Sequence, residues 1–528
     1  METLTPLAPI EPRCEQPRVR ARRGRGLVLT AALVAAVLLL PLVFLVTQAV
    51  QAGWSTLSPL LFRHLTASLL WNTLTLLVTA SITCAVIGTA AAWCVERTNL
   101  PGRRAWAVLV VLPVAIPDFV ISYGWVSVAP SVHGFHGAVV VMTLALYPLV
   151  YLPVAASLRG ADPAQEEIAR GLGLGRIETF VRVTLAECRV AILGGSLIVA
   201  LAVLSEYGAF EILRYNTFTT EIFTEFHTGF DPSAACALSL VLVLISLFVL
   251  GGETAARGRT RTNRSSRSAA RAIGRHQLGR ATLPVLLGFV ALGGLALGVP
   301  IGTLVYWLAR GSSSTLPSAS IAGAAWHTAF YSACAAALAT ALALPVALVA
   351  IRQRRRSTAL LERSTYIVQA LPGLVIALAL VFFASHWAYF LYQRPQLLVV
   401  AYAILFFPLA LVAVKASVAR APIGLEDVGR SLGRRPIEVF GRVTLPLVAP
   451  GLAAAFSLVF LSAVTELTAT LILVPTGVNT LATQFWAYTT NLSYGAAAPY
   501  AALLVAIAAI PTYVLGRWFE RLPSRASS

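Results

Sequence analysis

Two carboxylates in corresponding places offer chemistry first: Glu206 in Ser205-Glu206 and Glu466 in Thr465-Glu466, each just after a long apolar run. An ionised carboxyl at such a place is costly unless it faces water, a partner or another charge. A polar pathway and a simple interfacial position both meet that need, and the residues alone leave both open. His133 and His136 have a spacing able to share a metal, but no carboxylate or cysteine flanks them, and an ordinary polar loop accounts for the pair. The chain contains no HExxH, no GxSxG and no GxxxxGK[ST] phosphate loop. Catalysis, nucleotide hydrolysis and a resident metal or cofactor are therefore not expected of it.

The second polar feature is a repeat. Glu166 to Leu185, EEIARGLGLGRIETFVRVTL, returns as Glu426 to Leu445, EDVGRSLGRRPIEVFGRVTL, with eleven of twenty positions identical. Each copy predicts a short helix, a turn at Gly173 or Gly433 where positive φ is needed, and a second helix leading into an apolar run. Ile177 and Phe180, like Ile437 and Phe440, fall at helical spacing after the turn. Lipid could receive an amphipathic helix of this kind, but lipid needs only amphipathicity. An ordered acid-Arg-x-Leu-Gly pattern, kept twice at the same distance from Val-Thr-Leu, points to a protein partner.

The elements that must carry these segments are oily. Of the 528 residues 58% are hydrophobic and 12% charged, with a mean hydropathy of +0.78. A soluble protein of this size carries about a quarter charged residues, so a polytopic membrane protein is expected. The net charge of +18 comes from arginines gathered in short loops between apolar runs. That is the positive-inside pattern rather than a nucleic-acid footprint. The six cysteines show no CxxC pairing and read as small apolar packing residues.

The spacing predicts a disordered basic cytoplasmic tail over residues 1–25, a first membrane domain over 26–250, an Arg-rich cytoplasmic linker over 251–280, a second membrane domain over 281–518 and a short tail over 519–528. The linker, with its Gly, Ser and Arg content, is expected to lie near anionic head groups. Each half holds six apolar runs, about twelve in all, and alternating the charge places the amino terminus and both copies of the repeat in the cytoplasm. The acidic stretch from Ser205 to Asp231, with Glu211 among its acids, then faces outward.

Similarity between the halves extends beyond the loops. Ala115-Ile-Pro-Asp-Phe-Val-Ile121 matches Ala370-Leu-Pro-Gly-Leu-Val-Ile376, and Trp71-Asn-Thr73 matches Trp326-His-Thr328. Pro117 and Pro372 interrupt apolar runs, as a path lining or as a packing kink. Tandem halves in one orientation imply a pseudo-twofold axis along the membrane normal.

The repeated segment resembles the EAA loop of ATP-binding-cassette (ABC) importer permeases. It reads Glu167-Ile-Ala169, Gly173 and Val183-Thr-Leu-Ala186 in one copy, and Asp427-Val-Gly429, Gly433 and Val443-Thr-Leu-Pro446 in the other. It departs from the family pattern at Ile168, Val428, Asp427, Gly429 and Ala186. Thr465-Glu-Leu-Thr-Ala-Thr-Leu-Ile-Leu-Val-Pro475, Thr480-Leu-Ala-Thr483 and Trp486, with Ser205-Glu-Tyr-Gly-Ala209 and Thr219-Thr-Glu-Ile222, are similar to the fused, two-halved permeases of the ferric iron importers. Relatives of that group handle thiamine, 2-aminoethylphosphonate or polyamines.

The resemblance implies an all-α permease of the type I importer fold in a bacterial plasma membrane. Two ATP-binding subunits would sit inside and a substrate-binding protein outside. Ile177, Phe180, Ile437 and Phe440 would pack into clefts on the ATP-binding subunits. Glu166, Glu167, Arg170, Glu426, Asp427 and Arg430 would supply the polar side of the coupling loops. Ferric ion is hard and prefers oxygen, so Glu206, Tyr207, Glu211 and Glu466 become candidates for a weak substrate path or a contact for the binding protein. A secondary transporter with parallel repeats is the rival of another class, but it would need ionisable groups at helix centres that are nearly free of them. A membrane-embedded enzyme would need a clustered polar constellation, and none is found.

Overall fold

The computed structural model describes residues 25–160, 163–229, 231–258, 276–310, 319–352, 365 and 367–521. The basic tail over 1–24, residues 259–275 of the predicted linker and the last seven residues lie outside the described set. Among the described residues the secondary structure is helical, and the only β pairing is one isolated bridge between Thr98 and His276. In hydrocarbon each backbone N–H and C=O must be satisfied within the segment, which is why apolar runs of this length form helices.

Eight helices are long and apolar enough to cross a membrane, from Gly26–Ala52 to Pro436–Val464. Two bent pairs bring the number to ten if each is one span: Arg103–Ala115 with Asp118–Val128, bent by 94°, and Pro395–Leu405 with Phe407–Arg420, bent by 54°. The shorter apolar helices Gly373–His386 and Tyr494–Ile510 occupy the remaining two of the twelve predicted runs. The chain is thus a multi-pass, all-α membrane protein, with several runs shorter or more broken than hydropathy implied. Helix Pro232–Gly258 continues past the predicted boundary at residue 250, and helix Tyr494–Arg521 past residue 518.

The halves repeat element by element. Helix His64–Arg97 corresponds to Ala319–Arg352, the broken segment at Pro117 to the one at Pro372, and Leu185–Ser205 to Leu445–Val464. Small residues let the helices after each coupling loop approach their neighbours. A Cβ on Gly195 would lie 2.7 Å from Val150 Cα, and one on Gly451 would lie 2.1 Å from the Ser417 Cβ. Packing of this closeness replaces the hydrophobic drive that lipid does not supply.

The Trp-x-Thr similarity has a structural cause. Thr73 Oγ1 accepts the Phe218 N–H at 3.2 Å, and Thr328 Oγ1 accepts the Leu481 N–H at 2.9 Å. Phe218–His227 and Leu481–Thr490 also begin with capping boxes, at Thr217/Thr220 and Thr480/Thr483. Each threonine therefore satisfies an orphan donor at the start of the short helix at the end opposite the coupling loops.

Candidate coupling and translocation sites

The first candidate coupling helix is Pro163–Gly171 and the second Ile423–Ser431. Gly173 has φ +88° and Gly433 φ +78°, as the sequence requires. Gly173 N–H donates to Arg170 O (2.9 Å) and Leu174 N–H to Ala169 O (3.1 Å). The second copy repeats this with Gly433 to Arg430 (3.0 Å) and Arg434 to Gly429 (3.3 Å). This is a Schellman closure, twice. The chain then enters the membrane through helices Arg176–Thr179 and Pro436–Val439, and each is followed by a π turn, Phe180–Thr184 and Phe440–Thr444.

The π turn adds a residue just before each long helix, and the residue roles in the preceding segment differ from the sequence expectation. Phe180 is half-buried with its ring 5.5 Å from that of Trp93, and Phe440 packs on the core of its own half. Both are thus engaged within the protein on one side and only partly exposed. Ile437 is exposed, as expected of a docking residue, whereas the side chain of Ile177 lies outside the described set. The apolar ridge that does face outward is Ile168 with Leu172 (79% exposed) and Val428 with Leu432 (76% exposed), each pair one helical turn apart. Sequence reasoning counted Ile168 and Val428 as departures from a family alanine. The signal available was their i, i+4 partnership with leucine on an otherwise polar helix.

The acids divide too. Glu167 and Asp427 are exposed, and Asp427 pairs with Arg430 at 3.4 Å. Glu166 (8% exposed) and Glu426 (6%) turn inward instead. Thr184 Oγ1 donates to Glu166 at 2.9 Å and Thr444 Oγ1 to Glu426 at 2.5 Å. Arg97 Nη2 lies 3.5 Å from Glu166, Arg352 Nη1 pairs with Glu426, and Arg170 and Arg430 reach the same carboxylates at 4.0 and 3.5 Å. Glu166 and Glu426 therefore hold the helix to its own protein and do not belong to the exposed polar face.

At the opposite end of the helices that follow, a cavity of about 310 Å³ lies between the halves. Asp118, Ser205 and Glu206 line it from one half, and Thr465, Glu466 and Thr468 from the other. Glu206 accepts the Ala209 N–H at 2.7 Å and Glu466 the Ala469 N–H at 3.0 Å, so each carboxylate also caps the short helix after it. The break at Pro117 puts Asp118 at the wall, and its counterpart in the second half is Gly373, whose N–H donates to Ser205 Oγ at 3.2 Å. Sequence reasoning missed Asp118, although the acid-for-glycine difference stood in the match between the two proline segments.

Tyr207 and Glu211 do not line this cavity. The Tyr207 ring is buried, 4.4 Å from Phe223 and 5.4 Å from Trp486, and Glu211 is exposed. A second, largely apolar cavity of about 810 Å³ shares Ser205, Leu405 and Phe406 with the first and extends to Arg420, Ala421 and Pro422, just ahead of the second coupling helix. The two cavities adjoin at the three shared residues, and the apolar one lies between the acidic chamber and the second repeated loop. Among the described residues no three His, Cys, Asp or Glu side chains converge as metal ligands.

The family of binding-protein-dependent transport system inner membrane components matches the chain twice, over residues 84–257 and 339–525, each stretch holding one coupling loop. The Fe(3+)-transport system permease protein FbpB 2 of Haemophilus influenzae is 37% identical over 93% of this chain and 98% of its own length. The ferric transport system permease protein FbpB of Actinobacillus pleuropneumoniae is 21% identical over 79% of the chain and 66% of its own. The sulfate transport system permease protein CysT of Salmonella typhimurium is 30% identical over 40% of the chain and 84% of its own.

Proposed function

This chain belongs to the binding-protein-dependent transport system inner membrane components, and on that premise we propose that it is the fused permease of an ABC importer for ferric iron. Two ATP-binding subunits dock on the coupling helices, and a substrate-binding protein delivers iron at the opposite end. The chain lies in a bacterial plasma membrane with its amino terminus and both coupling helices in the cytoplasm, as its arginine distribution favours. ATP is hydrolysed by the partners and not by this chain, which transmits their closure by position.

The observation that carries this reading is the doubled, Schellman-capped helix with an exposed apolar ridge at Ile168/Leu172 and Val428/Leu432. A ridge of that kind on a short polar helix fits a groove on a protein partner. Ferric iron is favoured as cargo by the full-length likeness to an iron permease and by Asp118, Glu206 and Glu466 in one chamber. Hard cations prefer carboxylate oxygen, and the same three acids would repel sulfate. Thiamine, 2-aminoethylphosphonate and polyamines remain outcomes of the test below.

The test is uptake into proteoliposomes holding this chain with its two ATP-binding subunits, supplied with iron-loaded binding protein. Iron entry that requires ATP and both partners is expected. Iron entry without the ATP-binding subunits would overturn the assignment to an importer. ATP-linked entry of another solute, with iron excluded, would overturn the cargo.

A further inference from the structure

We propose that Arg97 and Arg352 are positioning residues of the transport cycle, each closing a buried polar joint through which its coupling helix moves the membrane helices on either side. The proposal rests on reading the two loops as the ATPase-coupling elements. Arg97 ends helix His64–Arg97 and Arg352 ends helix Ala319–Arg352. Each meets the carboxylate of its coupling helix, Glu166 or Glu426, which in turn holds the hydroxyl of Thr184 or Thr444 at the start of the next long helix. Three elements, one of them more than sixty residues away in sequence, are thereby joined at one carboxylate, in both halves.

The joint is poorly built for stability alone. Arg97 is 1% exposed, and its Nε and Nη1 have no hydrogen-bond partner; the same holds for Nε and Nη2 of Arg352. Desolvating a guanidinium offsets much of what the pair gains, and a packed apolar pair would fill the space more favourably. A charge pair offers what an apolar contact lacks, because its attraction falls off slowly with distance and persists as helices tilt. An apolar contact is lost within a fraction of an ångström. The threonine hydrogen bond fixes the carboxylate's orientation, and the π turn brings that threonine to it. A push on the exposed ridge therefore moves all three elements as one body.

The experiment measures ATP hydrolysed per iron imported, in proteoliposomes holding the complete complex. A structural role alone would lower the yield of assembled complex and leave this ratio where it was. Glu166→Gln with Glu426→Gln keeps shape and the threonine contact but removes the charge, and the ratio is expected to rise about tenfold. Exchanging the charges, with Arg97→Glu and Glu166→Arg in one half and Arg352→Glu and Glu426→Arg in the other, should return it to within about threefold of the parent. Should the glutamine protein not assemble, Thr184→Val with Thr444→Val is expected to raise the ratio about threefold. An unchanged ratio in the glutamine or valine protein, or no recovery on exchange, overturns the proposal. If the parent complex imports iron with ATP while these ratios stay flat, only the joint falls; if the parent shows no ATP-linked import, the functional reading falls first.

Discussion

The two coupling loops share a design and differ in what lies over them. In the first, His276 at the end of the inter-half linker stacks on Trp93 with centroids 6.0 Å apart, receives Arg170 Nη2 at 3.1 Å, and stands 3.8 Å from Glu166. Its backbone pairs with the first half, His276 N–H donating to Arg97 O at 2.8 Å and Asn99 N–H to His276 O at 3.1 Å. Among the described residues the second loop has no such strap, and Arg430 turns to Asp427 instead. The parts present in both copies, namely the Schellman closure, the π turn and the arginine-glutamate-threonine joint, are what the moving handle needs. Among the described residues the strap lies over the first handle alone, a difference expected to stiffen it relative to the second.

The largest expected effect comes from breaking both loops at once. Gly173→Pro with Gly433→Pro removes the C′ N–H donor and the left-handed conformation on which each closure depends, a cost of about 3 kcal/mol or more per site. Stimulation of ATP hydrolysis by loaded binding protein should disappear, and undiminished stimulation would mean the loops do not couple. An intermediate effect separates the ridges. Leu172→Asp and Leu432→Asp should each weaken capture of the ATP-binding subunits by about 2 kcal/mol, roughly thirtyfold, in a binding titration. Equal losses would make the ridges equivalent, and no loss from either would place docking elsewhere. The smallest effect sharpens the contrast itself: His276→Ala should speed amide exchange over residues 163–172 about fivefold and leave residues 423–432 unchanged. Equal acceleration in both loops would mean that the strap does not act locally.

How much of this was legible in the sequence depends on the range of the signal. The repeat, the turn glycines, the broken runs at Pro117 and Pro372 and the two-halved membrane architecture come from local pattern, and the fold and the family match agree with them. The inward turn of Glu166 and Glu426 was not legible, because it depends on Arg97, Arg352, Thr184 and Thr444, which only tertiary packing brings to those carboxylates. Nothing in Phe-Val-Arg-Val-Thr or Phe-Gly-Arg-Val-Thr announces the π turn. Arg97 and Arg352 read as loop arginines, since only tertiary packing buries them. Tyr207 was chosen for its oxygen, and its ring turned out to be worth more against Phe223 and Trp486 than its hydroxyl in the chamber. Asp118 could have been found by asking why one half carries an acid where the other carries glycine.

That last difference bears on ancestry. A side chain begun at Gly373 would sit 3.1 Å from the Glu466 carboxylate, so an aspartate there would crowd that acid and add a like charge beside it. A homodimer of the first half would bring four acids instead of three into its central chamber, and one of the second would lack Asp118 and Ser205 altogether. Divergence after duplication thus left the chamber unequal on its two sides, and carrying both halves on one polypeptide guarantees the unlike pairing.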